Sequence, residues 1–90
     1  MDDDELEVIV ERSAGLDVHK DVVAVTVRVP GPNGEVVRHQ AEFATFTDDL
    51  CGLRDWLVAF GVTRVGMEAT GVYWKPVYSV LEEALECWVL

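Results

Sequence analysis

Alternation of apolar and polar residues predicts three consecutive antiparallel strands in the first half of the chain. An apolar run begins at Ser13, is interrupted by the polar residues 19–21, and resumes as the β-branched segment VVAVTVRV, which ends at Val29. Two strands joined by a short turn have this pattern. The stretch PGPNG then has the composition of a turn, and EVVRHQAEFAT alternates again beyond it. We expect one face of this third strand to be more exposed to solvent than the other.

Helical periodicity alternates with strand-like runs in the second half of the chain. Thr47 is predicted to be the N-cap of a first helix, and Gly61 is expected to end it. Residues 63–68 read as a short strand, a second helix is predicted around Trp74–Leu85, and residues 86–90 begin another buried strand. The apolar positions with helical spacing are Leu50, Leu53, Leu57 and Phe60.

These elements predict an α/β fold with the order β-β-β-α-β-α-β. Because crossovers between parallel strands are nearly always right-handed, the fourth strand is expected beside the first. The result is a mixed five-stranded sheet with the spatial order 3-2-1-4-5. We expect the sheet to be truncated after its fifth strand, which leaves one of its faces short of covering helices.

Composition and charge narrow the class of protein. Half of the 90 residues are apolar, which is typical of a folded domain, and 17 acidic against 7 basic residues give a formal charge of -10. This charge opposes nonspecific binding to nucleic acid and anionic membranes. Six of the acids fall within the first eleven residues, so we interpret residues 1–12 as an acidic head that is solvated or disordered.

The sequence also indicates a cellular compartment. It has no signal peptide and no apolar run of about 20 residues that would cross a bilayer. We therefore expect a cytoplasmic protein without a membrane partner. Cys51 and Cys87 are isolated from each other and from histidine pairs, which predicts two reduced core cysteines instead of a zinc site or a disulfide.

Two carboxylates are predicted to meet at one edge of the sheet. Asp17 lies at the end of the first strand and Glu68 at the end of the fourth, which are parallel neighbours in the predicted order. Open α/β sheets bind ligands at the carboxyl ends of their strands. Two like charges held close together repel unless a cation lies between them, and carboxylate oxygens suit Mg²⁺ or Mn²⁺. Phosphoryl transfer with two such ions generally takes three or four carboxylates, however, and only these two are convincing.

Each carboxylate also has a purely structural interpretation. Asp17 could cap the turn that leads to Asp21 by accepting hydrogen bonds from backbone N–H groups. Glu68 could stabilise the N-terminus of the helix that follows it. His19 and His39 have no metal-ligand spacing between them, so we interpret both as structural.

Other polar and aromatic residues near the predicted site have simple interpretations too. Lys20 is a solvated turn residue that is near enough to the site to meet a phosphate. The aromatic residues of the second helix, Tyr73, Trp74 and Tyr78, could stack on bases but are predicted to belong to the core or to an interface.

Three stretches together carry a family resemblance. They are GLDVHK in the first strand, FATFTDDL before the first helix and MEATGVYWKPVYSVLEE around Glu68. From Ala14 to Leu90 the chain resembles the N-terminal domain of the DEDD-type insertion-sequence transposases. The resemblance implies a ribonuclease-H-like fold related to Holliday-junction resolvases, which acts on DNA with divalent metal. It maps Asp17 and Glu68 onto the first two acids of the family's tetrad, as catalytic and metal-binding residues.

The same resemblance sets expectations about activity and partners. Residues 13–90 would be the N-terminal part of a transposase catalytic domain that needs Mg²⁺ or Mn²⁺ to cleave and transfer DNA strands. The family's other two aspartates and its serine lie beyond the fifth strand, so we expect this fragment to be inactive by itself. A guide RNA is implied by the resemblance only. A homo-oligomer is expected because one sheet face is bare and the segments Val22–Val29 and Trp88–Leu90 are apolar.

Two functions of other classes stay open. An actin-like ATPase or sugar kinase shares the core fold and begins with an aspartate-bearing hairpin, but it needs a turn rich in Gly, Thr and Ser where this chain has VHKDVV. A noncatalytic interaction module, in which the acids only cap turns, would need no divalent metal. Stabilisation by nucleotide or by Mn²⁺ distinguishes the three functions.

Overall fold

The computed structural model describes residues 12–90 and has the predicted order of elements. The five strands form one sheet in the order β3-β2-β1-β4-β5, in which β1 is antiparallel to β2 and parallel to β4. The predicted α/β fold, with its mixed five-stranded sheet in the order 3-2-1-4-5, is therefore confirmed. The acidic head lies outside the described residues except for Arg12. The elements are β1 Ser13–Val18, β2 Val22–Pro30, β3 Val36–Ala44, α1 Thr47–Ala59, β4 Arg64–Ala69, α2 Trp74–Leu81 and β5 Glu86–Val89.

Alternation along β2 decides which side of the sheet faces the core. Its odd-numbered valines, from Val23 to Val29, are buried, whereas Ala24, Thr26 and Arg28 between them are more exposed. A register slip of one residue would turn the whole buried row toward solvent, so the pairing with β1 and β3 is strongly specified. We call the side with the buried valines the helix face and the opposite side the open face.

Both helices cover the helix face and complete the core. α1 contributes Leu50, Leu53 and Leu57, as its periodicity predicts, and α2 contributes Val77 and Leu81. These five side chains are essentially excluded from solvent and pack with the buried residues of the strands. Neither helix within residues 12–90 is long and apolar enough to cross a membrane.

The ends of the helices differ from the sequence-based prediction. The N-cap of α1 is Phe46, which has extended backbone angles, and Thr47 is already helical, so its prediction as the N-cap is wrong by one residue. α2 ends at Leu81, one turn before Leu85. The chain must leave the helix there because the N–H of Glu86 donates to the carbonyl of Thr63, 2.9 Å away, to start β5.

Two glycines in and after α1 give opposite predictions for stability. Gly61 follows the helix with φ +76, and a Cβ built there lies 2.9 Å from Cδ of Arg12, whereas a Cβ at the helical Gly52 meets nothing within 4 Å. We expect Gly61→Ala to lower the free energy of unfolding by about 1 kcal/mol, because alanine is strained at positive φ. The matched Gly52→Ala should raise it by up to about 1 kcal/mol. Urea denaturation of both variants measures the difference, and equal shifts would contradict the assigned backbone conformations.

Candidate functional site

The two predicted carboxylates lie side by side on neighbouring strands of the sheet. Asp17 of β1 and Glu68 of β4 are direct partners in the parallel pair. Residues in this relation project from the same face on strands about 4.8 Å apart. Both side chains belong to the open face and are exposed to solvent. The structure thus brings these two residues together, and their catalytic and metal-binding roles stay predictions.

Buried neighbours fix the backbone under each carboxylate. Leu16 and Val18 flank Asp17 and point into the core, and Met67 precedes Glu68 in the same orientation. β1 is hydrogen-bonded to a strand on either side, and β4 likewise lies between two strands. The positions of the two acids are therefore held by the most constrained part of the sheet, while their carboxylates stay accessible.

The donor set fits a magnesium-type ion in part. Two carboxylates offer hard oxygen ligands, and Mg²⁺ is commonly held by one or two carboxylates together with waters and substrate phosphates. A cation between the two acids would also relieve the repulsion of like charges on neighbouring strands. Within residues 12–90 there is no cluster of three or more His, Cys, Asp and Glu side chains that would form a more complete site.

A histidine that the sequence-based reasoning treated as structural lies beside the site. Nε2 of His19 is 3.4 Å from Oδ2 of Asp17, and both side chains are more than half exposed. In the sequence, only the two-residue spacing between Asp17 and His19 at the end of β1 indicates this contact. That spacing is common in turns.

The structural alternatives for the acids find little support in the contacts. Within residues 12–90 the carboxylate of Asp17 accepts no hydrogen bond from the turn, which is closed by the N–H of His19 donating to the carbonyl of Val22 at 2.9 Å. Glu68 makes no ion pair or hydrogen bond in the same range, and α2 begins only at Trp74. Neither acid is used by the described residues as a cap.

A shallow depression of about 550 Å³ surrounds the carboxylates on the open face. Asp17 and Glu68 lie at one end of it, and Arg28 lies at the other end. Its floor is formed by Gly15 and Gly66, which are direct partners in the β1–β4 pair. The depression therefore joins an acidic end to a basic end across a floor without side chains.

Three of the remaining candidates, Trp74, Tyr78 and Cys87, pack against the core. The rings of Trp74 and Tyr78 meet edge to face, with 5.7 Å between their centroids, and both pack against the core, as predicted. Tyr73 is exposed. The ring of His39 lies 4.7 Å from that of Phe60. Both cysteines are free and half-buried. Burial raises the pKa of the Cys87 thiol, and its Sγ donates to the carbonyl of Leu85 at 3.7 Å.

Comparisons with known proteins give one family and several structural neighbours. A family model of DEDD transposases, described as "Transposase", matches residues 14–89. A Ppx/GppA family member from Aquifex aeolicus has a TM-score of 0.58 at 16% identity, over 89% of this chain and 35% of that one. The type II variant of the Aquifex aeolicus Ppx/GppA phosphatase has a TM-score of 0.56 at 17% identity, over 89% of this chain and 35% of that chain. The yeast mitochondrial Holliday junction resolvase has a TM-score of 0.40 at 14% identity, over 100% of this chain and 57% of that chain. No curated protein matches by sequence.

These matches differ in what they establish. The chain spans about a third of the length of the Ppx/GppA structures, and at such low identity the likeness concerns the fold alone. The family model covers most of the chain and includes both carboxylates together with every element from Ala14 onward.

Proposed function

The chain belongs to the DEDD transposase family, and from this premise we propose that it is the N-terminal part of the catalytic domain of a DNA transposase or recombinase. Asp17 and Glu68 are its catalytic, metal-binding carboxylates, and Mg²⁺ or Mn²⁺ is the cofactor. The observation that carries the proposal is the direct pairing of these two acids at the carboxyl ends of parallel β1 and β4. Ligands of open α/β sheets bind at this edge.

In this proposal the protein holds and orients the oxygen ligands. The sheet keeps Asp17 and Glu68 side by side, and the contact with His19 turns Oδ2 of Asp17 toward the imidazole. The metal, when bound, would activate an attacking oxygen and stabilise a leaving oxygen during phosphoryl transfer. The scissile phosphate would lie over the open face, since both carboxylates are exposed there.

Activity belongs to the full-length protein in this proposal. Two-metal phosphoryl transfer generally uses three or four carboxylates, and residues 12–90 bring only two together. We therefore propose that this chain alone binds metal weakly and does not cleave DNA. DNA is the proposed substrate, and the guide RNA and cytoplasmic location rest on the resemblance and composition discussed above.

The structure leaves fewer exposed apolar residues for the proposed homo-oligomer than the sequence suggested. The alternate valines of Val22–Val29 are buried against the helices and are not available for self-association. The exposed apolar residues at the other end of the sheet are Trp88, Val89 and Leu90. Self-association stays a prediction that rests on these residues.

Mn²⁺ should stabilise the native chain through Asp17 and Glu68. At an Mn²⁺ concentration tenfold above the dissociation constant, linkage adds about 1.4 kcal/mol to the free energy of unfolding, which raises the midpoint of thermal unfolding by about 6 to 11 °C. We expect Asp17→Asn and Glu68→Gln to abolish this increase. In the wild type, paramagnetic broadening of amide resonances by Mn²⁺ should centre on the same two residues.

Glu42→Gln is the matched control for this titration. Glu42 is an exposed acid of the open face, and Ala24 of β2 separates it from Asp17. This variant should keep the full response to Mn²⁺. If Asp17→Asn responds to Mn²⁺ as strongly as the wild type does, the proposed metal site is wrong and a noncatalytic module is the better interpretation.

An actin-like ATPase or sugar kinase is the second candidate, since the solved structures with similar folds include a phosphatase. The turn after β1 does not favour it, because residues 19–21 are bulky and charged and none of them has positive φ. A turn whose backbone N–H groups bind a phosphate typically includes residues with positive φ, a conformation that favours glycine. Stabilisation by a nucleotide that persists in Asp17→Asn would support this candidate over the transposase.

A further inference from the structure

Two arginines lie opposite each other at one corner of the sheet. Arg28 of β2 and Arg38 of β3 are direct partners in the antiparallel pair, and both side chains are exposed on the open face. Like charges in this position destabilise a sheet, and within residues 12–90 neither arginine forms an ion pair. Glu35, the acid of the adjoining turn, accepts a hydrogen bond from the N–H of Asn33 at 2.9 Å. We call Arg28 and Arg38 the arginine corner.

The other basic side chains of the described residues are engaged or lie elsewhere. Arg12 donates to a backbone carbonyl at 2.8 Å, and Arg54 and Arg64 form ion pairs with acids of residues 12–90. Lys20 lies in the turn after β1 and Lys75 in the first turn of α2, so both are at the opposite end of the sheet. At the amino end of β1, the largest uncompensated positive charge of the described residues is therefore the arginine corner.

The acidic head joins the sheet beside this corner. Its six acids are at positions 2, 3, 4, 5, 7 and 11, and it leads into β1 at Ser13, which is the direct partner of Arg28. Neighbouring strands are about 4.8 Å apart, so Arg38 lies about 10 Å from Ser13 across the sheet. Asp4 precedes Ser13 by nine positions, a length of chain that can extend about 30 Å. The acids of the head can therefore reach both arginines.

We infer that the acidic head binds the arginine corner of its own chain through its carboxylates. Charge complementarity supports this occupant, because the head has six acids and a single arginine. Exposed ion pairs are individually weak, but a short tether gives an effective concentration on the order of millimolar, which populates them. A carboxylate can accept two parallel hydrogen bonds from a guanidinium group, so its binding offsets the repulsion between Arg28 and Arg38. The head thereby competes with external anions for these two residues.

Binding of the head needs only one corner of the open face. The arginine corner belongs to β2 and to the edge strand β3, on the side of the sheet away from β5. Ala24, the partner of Asp17, is four residues from Arg28, so the corner lies about 13 Å along the strands from the carboxylates. The helices that are expected to cover the open face can therefore occupy its centre while the head occupies the corner. The contact is also independent of the proposed metal site.

A nitroxide label on the α-amino group of Met1 tests this contact by nuclear magnetic resonance of the 90-residue chain. The label can be attached selectively near neutral pH, because α-amino groups titrate well below lysine side chains. Amide resonances around Arg28 and Arg38 should be broadened most, and those around Lys20 and Lys75 least. In about 1 M salt, where the Debye length is about 3 Å, the broadening at the corner should fall at least about threefold.

Two double variants with the same change of charge form a matched pair. Arg28→Gln/Arg38→Gln should lose the broadening at the corner. Lys20→Gln/Lys75→Gln removes two positive charges at the other end of the sheet and should keep it. All four side chains are exposed, so we expect both variants to stay folded.

Reversal of both charges provides a rescue experiment. Arg28→Glu/Arg38→Glu should repel the head and lose the broadening. Adding Asp2→Lys/Asp3→Lys/Asp4→Lys to this variant should restore it, because the attraction then has the opposite polarity.

Several results would overturn the inference. They are even broadening over the whole surface, broadening centred on Lys20 and Lys75, and broadening that persists in Arg28→Gln/Arg38→Gln or in about 1 M salt. Broadening of an isotope-labelled, unmodified chain by a separate spin-labelled chain would also overturn it, since that result indicates contact between copies. The Mn²⁺ titration judges the metal site separately, so either proposal can fail while the other stands.

Discussion

Lysine in place of Val25 is expected to abolish the cooperative unfolding transition of this chain. Val25 is 2% exposed at the middle of β2, where it faces the core under the helices. No polar or charged side chain within residues 12–90 is buried, so the ammonium group would find no partner there. An uncompensated buried charge costs several kcal/mol, which is comparable to the whole stability of about 5 kcal/mol of a small domain.

Thr26→Lys is the matched control, one residue further along the same strand. Thr26 belongs to the open face and is half-buried at the edge of the depression, so a lysine there can extend its ammonium group into solvent. We expect its free energy of unfolding to stay within about 1 kcal/mol of the wild type. Circular dichroism and urea denaturation measure both variants. A folded Val25→Lys variant beside an unfolded Thr26→Lys variant would reverse our assignment of the two faces.

Leu57→Ala is the second substitution with a large expected effect. Leu57 is 0% exposed and packs from α1 onto the sheet. Removing a leucine side chain from a packed core costs about 2.7 to 5 kcal/mol, which combines lost hydrophobic transfer energy with the cavity left behind. The midpoint of urea denaturation should fall accordingly, and at the upper end of the range the variant is unfolded in buffer.

Val58→Ala provides the comparison within the same helix. Val58 is 50% exposed and leaves no cavity when it is shortened. Alanine also has the higher helix propensity, so we expect a change within about 0.5 kcal/mol. Similar losses for Leu57→Ala and Val58→Ala would mean that α1 does not pack in the orientation described.

The topology could be predicted because each step depended on local chemistry or on chirality. Alternation identified β3, the β-branched run identified β2, and the right-handed crossover placed β4 beside β1. The meeting of Asp17 and Glu68 follows from these steps, since both acids end neighbouring parallel strands. No knowledge of side-chain packing was needed for this part of the site.

The properties of the open face were not predictable in the same way. In VVAVTVRV nearly every position is apolar, so the run suggested an apolar surface on both sides of the sheet. In fact the valines at positions 23, 25, 27 and 29 point to the helices, and Ala24, Thr26 and Arg28 are left on the other side. The pairing of Arg28 with Arg38 depends on the exact β2–β3 register, which the turn PGPNG alone does not specify. The end of α2 was misplaced because a hydrogen bond from Glu86 to the distant residue Thr63 starts β5 soon after the helix.

The β1–β4 pair has a consequence for how the two carboxylates stay together. β1, β2 and β3 are joined by short turns, so their pairing closes only small loops. Asp17 and Glu68, in contrast, are separated in the chain by more than half its length, and their pairing closes the largest loop of the sheet. Chain entropy opposes such closure more strongly than it opposes the closure of a hairpin. An opening of the sheet between β1 and β4 would therefore separate the two acids while leaving the three-stranded meander intact.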